Sequence, residues 1–213
     1  MSADYTGDVT AGGPAAVRDL GGGLTLRKVS VGPMDNNAYL LSAGGEQLLI
    51  DAANDAGTLL DLIGAGGLRT VVTTHRHGDH WQALAEVVQA TGAQSLAHAD
   101  DAAEIPVVTR ALHDGDMIDV GGHTLEVIHV AGHTPGSIVL ACRGAHLFTG
   151  DSLFPGGHGR TTRPEDHRRI MTDLVDKVFS RFGDDTWFYP GHGKDSTLGA
   201  ERPHLDQWWA RGW

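Results

Sequence analysis

The residues best suited to chemistry are histidines and aspartates placed where predicted strands end. His75, His77, Asp79 and His80 follow an apolar run that ends at Thr74. Side chains two residues apart on an extended chain point to the same side of the backbone. His75 and His77 are therefore able to share one metal ion, and Asp79 and His80 in the following turn are able to face a second ion. A lone His-x-His pair is common and says little by itself.

Three further segments each place a possible metal ligand directly after a predicted strand, beside glycines that allow close approach of the backbone. They are Gly132-His133-Thr134-Pro135-Gly136, Phe148-Thr149-Gly150-Asp151-Ser152 and Pro190-Gly191-His192-Gly193. Imidazole nitrogens and carboxylate oxygens suit borderline divalent ions such as zinc. The four segments together supply enough ligands for two ions if one carboxylate bridges them, and so they predict a metal site.

These segments resemble the motifs of the metallo-β-lactamase-fold hydrolases, and the resemblance extends from about Leu24 to Gly199. Two more segments look like the glyoxalase II group and its single-domain relatives. They are Asp35-Asn36-Asn37-Ala38-Tyr39 and Gly157-His158-Gly159-Arg160-Thr161. The resemblance implies the α/β metallo-β-lactamase fold, an αββα sandwich of two mixed β-sheets flanked by helices, which also suits the order of the predicted elements.

The resemblance also implies a role for each ligand, with zinc expected and iron or a mixed iron–zinc pair as alternatives. The implied ligands are His75, His77 and His133 at one ion, Asp79, His80 and His192 at the other, and Asp151 as the bridge. Asp51 matches a position that supports the ligands from outside, and its other interpretation is a helix cap. A two-ion site lowers the pKa of bound water from 15.7 to around 7, so the implied nucleophile is a metal-bound hydroxide. Asp79 is also a candidate proton shuttle.

We expect the reaction to be hydrolysis of a thioester, because a leaving thiolate is a weak base and needs no strong general acid. The expected substrate is an S-acyl conjugate of a low-molecular-weight thiol. Candidate substrate contacts are His158, Arg160, Lys194 and Asn37. Basic residues near the predicted pocket are few for glutathione, which carries two free carboxylates. An acyl- or formyl-mycothiol therefore stands beside S-lactoylglutathione as a candidate substrate.

Two other functions remain open at this point. A mononuclear iron persulfide dioxygenase of the same superfamily would hold its metal by His75, His133 and Asp151. The sequence after Arg160 lacks the Thr-Asp-Phe continuation associated with that group, which favours hydrolysis. The third possibility is a non-catalytic metal-binding or interaction module, which is disfavoured because all seven ligand positions are filled.

Composition limits the possible partners and the compartment. The chain has 213 residues, a formal net charge of -11, 13 histidines and one cysteine, Cys142. An acidic chain is a poor ligand for nucleic acid or for an anionic membrane surface. A single cysteine and the lack of a signal-like start indicate a cytoplasmic protein. Residues 1–19 are expected to be flexible and residues 20–213 to form one domain; monomer and homodimer both remain open.

Along the predicted domain, strands come first, and strands mixed with helices follow. We expect helices at Ala56–Ile63, with Asp55 or Asn54 as its cap, and at Arg163–Arg181, where Thr162 and Glu165 have capping-box spacing. Cys142 is expected in the core, and the tryptophans Trp208, Trp209 and Trp213 are expected to dock the C-terminal segment on it.

Overall fold

A computed structural model describes residues 5–212 as two β-sheets packed face to face, with helices on both outer faces. The first sheet has seven strands in chain order: β1 (Ala16–Asp19), β2 (Thr25–Val31), β3 (Asn36–Ala43), β4 (Glu46–Ile50), β5 (Leu68–Val72), β6 (Gln94–His98) and β7 (Arg110–Leu112). The strands β1 to β4 pair antiparallel, and β4 to β7 pair parallel.

The second sheet has six strands in the spatial order 13-12-11-10-9-8. They are β8 (Met117–Val120), β9 (His123–His129), β10 (Ile138–Cys142), β11 (His146–Gly150), β12 (Trp187–Pro190) and β13 (Ser196–Thr197). The pairing of β11 with β12 is parallel and the others are antiparallel. Both sheets are therefore mixed, as the sequence predicts.

The helices α1 (Ala56–Ile63) and α2 (Leu84–Thr91) cover the first sheet, and α3 (Pro164–Asp173) covers the second. The chain continues from α3 as a π-helix, Leu174–Phe179, and ends in α4 (Leu198–Glu201) and α5 (Leu205–Arg211). The helix α1 has the predicted bounds, and Asp55 caps its N-terminus. The predicted capping box of α3 is wrong, because the helix begins with Pro164 at its first position and Arg163 as a cap without a side-chain bond.

Strand alternation explains the layers. Along β4, Leu48 and Ile50 face the second sheet, whereas Leu49 packs under the helices. Along β10, Leu140 faces the first sheet and Val139 packs under α3. A sheet covered on both faces needs apolar residues at successive positions, and these strands have them. Cys142 is buried in the core between the sheets.

Both ends of the described residues, 5–212, are packed on the sheets. Ala16–Asp19 pairs with β2, although the sequence indicated flexibility up to residue 19. The hydroxyl of Tyr5 donates to Asp195 at 2.6 Å. Trp208 is 2 % exposed and packs on the outer face of the second sheet, whereas Trp209 remains 38 % exposed. Trp213 lies outside the described residues.

No helix within residues 5–212 combines the length and the apolar character needed to cross a bilayer.

Candidate metal centre

Loops that follow strands of both sheets bring the predicted ligands to one place. The segment from His75 to His80 follows β5, and His133 follows β9. Asp151 follows β11, and His192 follows β12. The start of β3 joins the two sides, since the backbone N–H of Asn37 donates to the carbonyl of Gly191 at 2.7 Å.

The ligand atoms fall into overlapping groups, in each of which they lie within 4.8 Å of one another. These groups are His75, His77 and His133; His75, His80 and Asp151; and Asp79, His80 and His192. The carboxylate of Asp151 lies between them. Its Oδ2 is 3.5 Å from His133 Nε2 and 3.6 Å from His192 Nε2, and its Oδ1 is 3.3 Å from His80 Nε2.

Hydrogen bonds to groups that are not themselves ligand candidates fix the orientation of four imidazoles. His133 Nδ1 lies 2.9 Å from the carbonyl of Arg160, and His192 Nδ1 lies 2.8 Å from the carbonyl of Met34. A carbonyl accepts only, so both Nδ1 atoms carry a hydrogen and both Nε2 atoms are free to bind a cation.

Asp51 holds the other two imidazoles. Its Oδ2 accepts from His80 Nδ1 at 2.9 Å and from the hydroxyl of Thr74 at 2.8 Å, and its Oδ1 accepts from the backbone N–H of Thr74. Since the Thr74 hydroxyl gives its hydrogen to Asp51, its oxygen accepts from His75 Nδ1 at 3.1 Å. Asp51 adopts a φ of 57°, a strained backbone conformation that this network compensates.

Asn36 orients the remaining carboxylate. Its amide donates to Asp79 Oδ2 at 2.9 Å and to the Asp79 carbonyl at 3.0 Å. His77 is the most exposed ligand candidate, and its ring contacts those of His75 and His133 edge-on at 4.8 and 4.5 Å.

The cluster has the donor set and the unpaired atoms that a bound cation requires. The Nε2 atoms of His80 and His192 lie 3.2 Å apart, a separation at which two ring nitrogens need a shared proton or a metal cation between them. Within residues 5–212, His75 Nε2, His133 Nε2 and Asp151 Oδ1 are buried without a hydrogen-bond partner. Buried polar atoms are rarely left unpaired. The residues therefore fit divalent metal ions.

The charges of the cluster agree with this interpretation. Burial lowers the pKa of His75 and of His133, so both are neutral and able to bind a metal. Burial raises the pKa of Asp151, but the neighbouring imidazoles of His192 and His80 outweigh it and hold that pKa well below its usual range. Burial also opposes charge on His80, yet Asp151 and Asp51 raise its pKa to about 10. The carboxylates thus favour positive charge at the centre.

The predicted substrate contacts lie elsewhere or act differently. The imidazole of His158 is buried, and its Nε2 atom lies 3.0 Å from Nδ1 of His167, so this side chain does not face the open side of the ligand cluster. The amide of Asn37 is buried and donates to the carbonyls of Pro190 and Gly193. In this structure, both side chains are therefore held in the protein interior by internal hydrogen bonds.

The two basic candidates also differ from the expectation. Lys194 is exposed and pairs with Asp8 at 3.0 Å, outside the ligand cluster. Arg160 reaches the cluster through its backbone carbonyl. Sequence reasoning did not identify Thr74 or the Met34 carbonyl, whereas the glyoxalase-like turn pointed to the segment that contains Asn36.

A fourth group, which contains His98, Asp100 and His129, lies apart from this centre. The rings of His98 and His129 stack at 4.0 Å with an angle of 23° between their planes. Ring nitrogens direct their lone pairs in the ring plane, so the lone pairs of two nearly parallel rings do not converge on one ion. We therefore do not include this group in the metal centre.

A cavity of about 350 Å³ adjoins His133. Three arginines line it, and each has carboxylate partners: Arg76 pairs with Asp101 and Glu104, Arg163 with Asp166, and Arg169 with Asp173. The cavity is thus lined by balanced charges and is not strongly basic. On the other side of the cluster, the Phe154 ring lies 6.1 Å from that of His192, and Met34 is 53 % exposed.

Comparison with known proteins identifies related chains. Residues 31–193 match the family model described as "Metallo-beta-lactamase superfamily". A hydroxyacylglutathione hydrolase from Fuscovulum blasticum is 42 % identical over 131 residues, which are 59 % of this chain and 51 % of that protein. One from Anaeromyxobacter dehalogenans is 37 % identical over 164 residues, 74 % of this chain and 61 % of that protein. The chain therefore spans only half to three-fifths of these relatives.

Other similar chains are matched over more of their length. The uncharacterized protein Mb2612c of Mycobacterium bovis is 30 % identical over 201 residues, 78 % of this chain and 89 % of that protein. The crystal structure of ETHE1 from Myxococcus xanthus superposes with a TM-score of 0.77 at 26 % identity, covering 87 % of this chain and 84 % of that one. The crystal structure of TTHA1623 in a di-iron-bound form superposes with a TM-score of 0.71 at 30 % identity, covering 82 % of this chain and 96 % of that one.

Proposed function

The chain belongs to the metallo-β-lactamase superfamily, as its sequence predicts, and we propose that it is a metal-dependent thioesterase for S-acyl conjugates of a low-molecular-weight thiol. The observation that carries the proposal is the position of Asp151, whose two carboxylate oxygens face histidines of both ligand groups. The similarity to hydroxyacylglutathione hydrolases supports the thioester.

The first ion would be held by His75, His77 and His133, the second by Asp79, His80 and His192, with Asp151 shared between them. Bound there, two divalent ions, which we propose are zinc, would lower the pKa of a water ligand and polarise the substrate carbonyl. A di-iron-bound relative leaves iron as the alternative metal.

The chain's own residues prepare the site for this reaction. Asp51 keeps a hydrogen on Nδ1 of His80, and the carbonyls of Arg160 and Met34 do the same for His133 and His192. The Nε2 atoms of these three imidazoles therefore face the metal centre. Asn36 holds the carboxylate of Asp79, and we propose that Asp79 Oδ2 accepts and passes on a proton during turnover. The departing thiolate is a weak base, so no further acid is needed.

The surroundings of the cluster favour a carrier with little net charge. Met34 and Phe154 offer apolar surface beside His192 for an acyl group. The arginines of the cavity beside His133 are already paired with carboxylates, which weakens their attraction for the two free carboxylates of glutathione. We therefore propose a sugar-based thiol such as mycothiol as the carrier and S-lactoylglutathione as the competing substrate.

A single experiment tests these assignments. The protein is purified without a metal-chelating tag, zinc and iron are measured per chain, and formyl-mycothiol, acetyl-mycothiol and S-lactoylglutathione are assayed in parallel. We expect two ions per chain and hydrolysis of the mycothiol esters. Turnover of S-lactoylglutathione alone would overturn the proposed carrier.

A parallel oxygen-uptake assay with a thiol persulfide tests the reaction class. One iron per chain together with oxygen consumption would overturn the hydrolase and favour a persulfide dioxygenase. Asp151→Ala should lose both bound metal and turnover, whereas a variant that keeps turnover without metal would contradict a metal-dependent reaction.

A further inference from the structure

Asp101 is a buried carboxylate that joins two segments distant from each other in the sequence. It lies after β6, is 1 % exposed, and accepts three hydrogen bonds. The donors are the backbone N–H of Arg76 at 3.0 Å, the hydroxyl of Thr134 at 2.5 Å and the backbone N–H of Gly136 at 2.9 Å. Its own backbone N–H donates to the carbonyl of His98 at the end of β6.

These three donors belong to the segments that carry one of the two ligand groups. Arg76 stands between His75 and His77, and Thr134 directly follows His133. Asp101 therefore holds the backbone between His75 and His77 and the segment that follows His133. It does so without bonding to the side-chain atoms that would bind the metal.

The local sequence is adapted to this contact. The Arg76 side chain is directed at carboxylates, since its guanidinium also pairs with Glu104. Its Nε atom lies 3.8 Å from Asp101, which offsets part of the buried negative charge. At Gly136, a Cβ atom would lie 2.7 Å from Asp101 Cγ, and only glycine allows the backbone to come this close.

We propose that Asp101 is a positioning residue that sets the placement of His75 and His77 relative to His133, and so the affinity of this group for its metal ion. The inference rests on the proposed two-ion site and adds a residue to it. A carboxylate is needed here because all three partners are donors, whereas an amide offers one oxygen and turns its own N–H groups toward another donor.

The test is metal binding to Asp101→Asn, measured by competition of Zn²⁺ or Co²⁺ with a chromophoric chelator in the absence of substrate. We expect one of the two ions to bind about 10- to 100-fold more weakly and the other to bind as in the wild type. In the metal-free protein, the amides of Arg76 and Gly136 should exchange with solvent faster, while amides in β4 and β10 keep their protection.

Two further variants keep the result interpretable. Asp100→Asn changes the exposed neighbour of Asp101, and it should bind both ions as the wild type does. Thr134→Val keeps the shape and the carboxylate but removes one donor, and it should weaken one ion by about threefold to tenfold even if Asp101→Asn does not fold.

Equal weakening of both ions, in proportion to a general loss of stability, would show that Asp101 only supports the fold and would overturn the proposal. Unchanged binding of both ions by folded Asp101→Asn would overturn it as well. Since no substrate is used, a wrong assignment of the thioester in the proposed function leaves these outcomes unaffected. A wild-type chain that binds no metal would instead refute the two-ion site on which the inference rests.

Discussion

At the scale of single residues, the centre depends on which nitrogen of each imidazole carries its hydrogen. Asp51 controls this choice for two ligand candidates, directly for His80 and through the Thr74 hydroxyl for His75. Partners of this kind raise ligand basicity and fix ring orientation. The centre therefore depends on Asp51, although this residue would not itself touch the metal.

Replacing Asp51 by Asn should weaken metal binding about 10- to 100-fold, because one oxygen has to replace two acceptors. Asn tolerates the positive φ of this position, so the backbone conformation should persist. The measurement is metal affinity by chelator competition.

Asp55→Asn is a matched control for this prediction. Asp55 also has a positive φ of 50°, but it lies outside the ligand cluster and caps α1, where Asn is an equally good cap. Equal metal affinities in the two variants would contradict the role of Asp51.

His146 offers a pH-dependent prediction outside the metal centre. Arg18 donates to the Tyr189 hydroxyl, which also lies within hydrogen-bond distance of His146 Nδ1, at 2.9 Å. Burial, together with Arg18 and Arg143, lowers the pKa of His146 to about 4. Between about pH 6.5 and pH 4, His146 is protonated in the unfolded chain and neutral in the folded chain. The free energy of unfolding therefore falls as the pH falls through this range.

His146→Gln removes this titration and should lose less stability than the wild type between pH 7 and pH 5. The difference should be about 1 kcal/mol or less, because the imidazole is only partly buried. Urea unfolding at several pH values measures it, with the exposed His113→Gln as control. Identical pH profiles for His146→Gln and the wild type would contradict the lowered pKa.

Sequence reasoning predicted which histidines and aspartates cluster, because glycine-flanked histidines and aspartates after strands form a distinctive pattern. It did not reach Asp101, Thr74 or Asn36, whose roles depend on backbone groups that only the folded chain brings near. It made His158 a candidate substrate contact because this residue follows Asp151 closely in the sequence, yet the loop turns the imidazole of His158 toward His167. A side chain's direction in a loop depends on packing that no spacing rule contains.

At the scale of elements, α3 holds the residues before His133, whereas Asp101 holds the residues after it. The buried carboxylate of Asp173 accepts from the backbone N–H of Ala131 at 3.1 Å. Gly132 has a φ of 135°, and a Cβ atom there would lie 2.7 Å from the Cβ of Ile170. The helix can therefore approach this loop only because residue 132 is glycine.

The loop that carries His192 is held by a buried lysine in β2. Lys28 Nζ donates to Asp195 Oδ1 at 2.7 Å and to the carbonyls of Gly193 and Gly7 at 2.8 and 2.7 Å. Neither side chain of the Lys28–Asp195 pair has measurable exposure. Lys28→Met would leave the carboxylate buried without its partner, and we expect a loss of about 3–5 kcal/mol in the free energy of unfolding.

Lys194→Met is the matched control, since this lysine belongs to the same loop but makes an exposed pair with Asp8. Exposed pairs contribute about 0–1 kcal/mol. Chemical unfolding of both variants measures the difference. A loss below about 1 kcal/mol for Lys28→Met would mean that the buried pair does not stabilise the loop.

The predictability of the elements followed their length and periodicity. The bounds of α1 were predicted because its apolar spacing and Asp55 cap are local signals. The strands β7 and β8 lack such signals, since they have three and four residues with exposed side chains among them. The helix after Arg163 was predicted as one α-helix, but α3 gives way at Leu174 to a π-helix, which apolar spacing does not distinguish.

At the scale of the whole molecule, the metal centre lies across the two sheets. His75 to His80 follow a strand of the first sheet, whereas His133, Asp151 and His192 follow strands of the second. The unfolded chain has no such arrangement, so bound ions should stabilise the folded state alone and should hold the two sheets together.

Removing the metal should therefore lower the thermal stability of the wild type. An ion present at about 100 times its Kd contributes about 2.7 kcal/mol. For a domain of this size, 1 kcal/mol corresponds to about 2–4 °C in Tm. Scanning calorimetry with and without a chelator should thus show a fall of about 5–11 °C per ion, reversed when metal is restored. Asp151→Asn, which lacks the shared carboxylate, should respond less, and an equal response in both proteins would place the stabilising ion outside this centre.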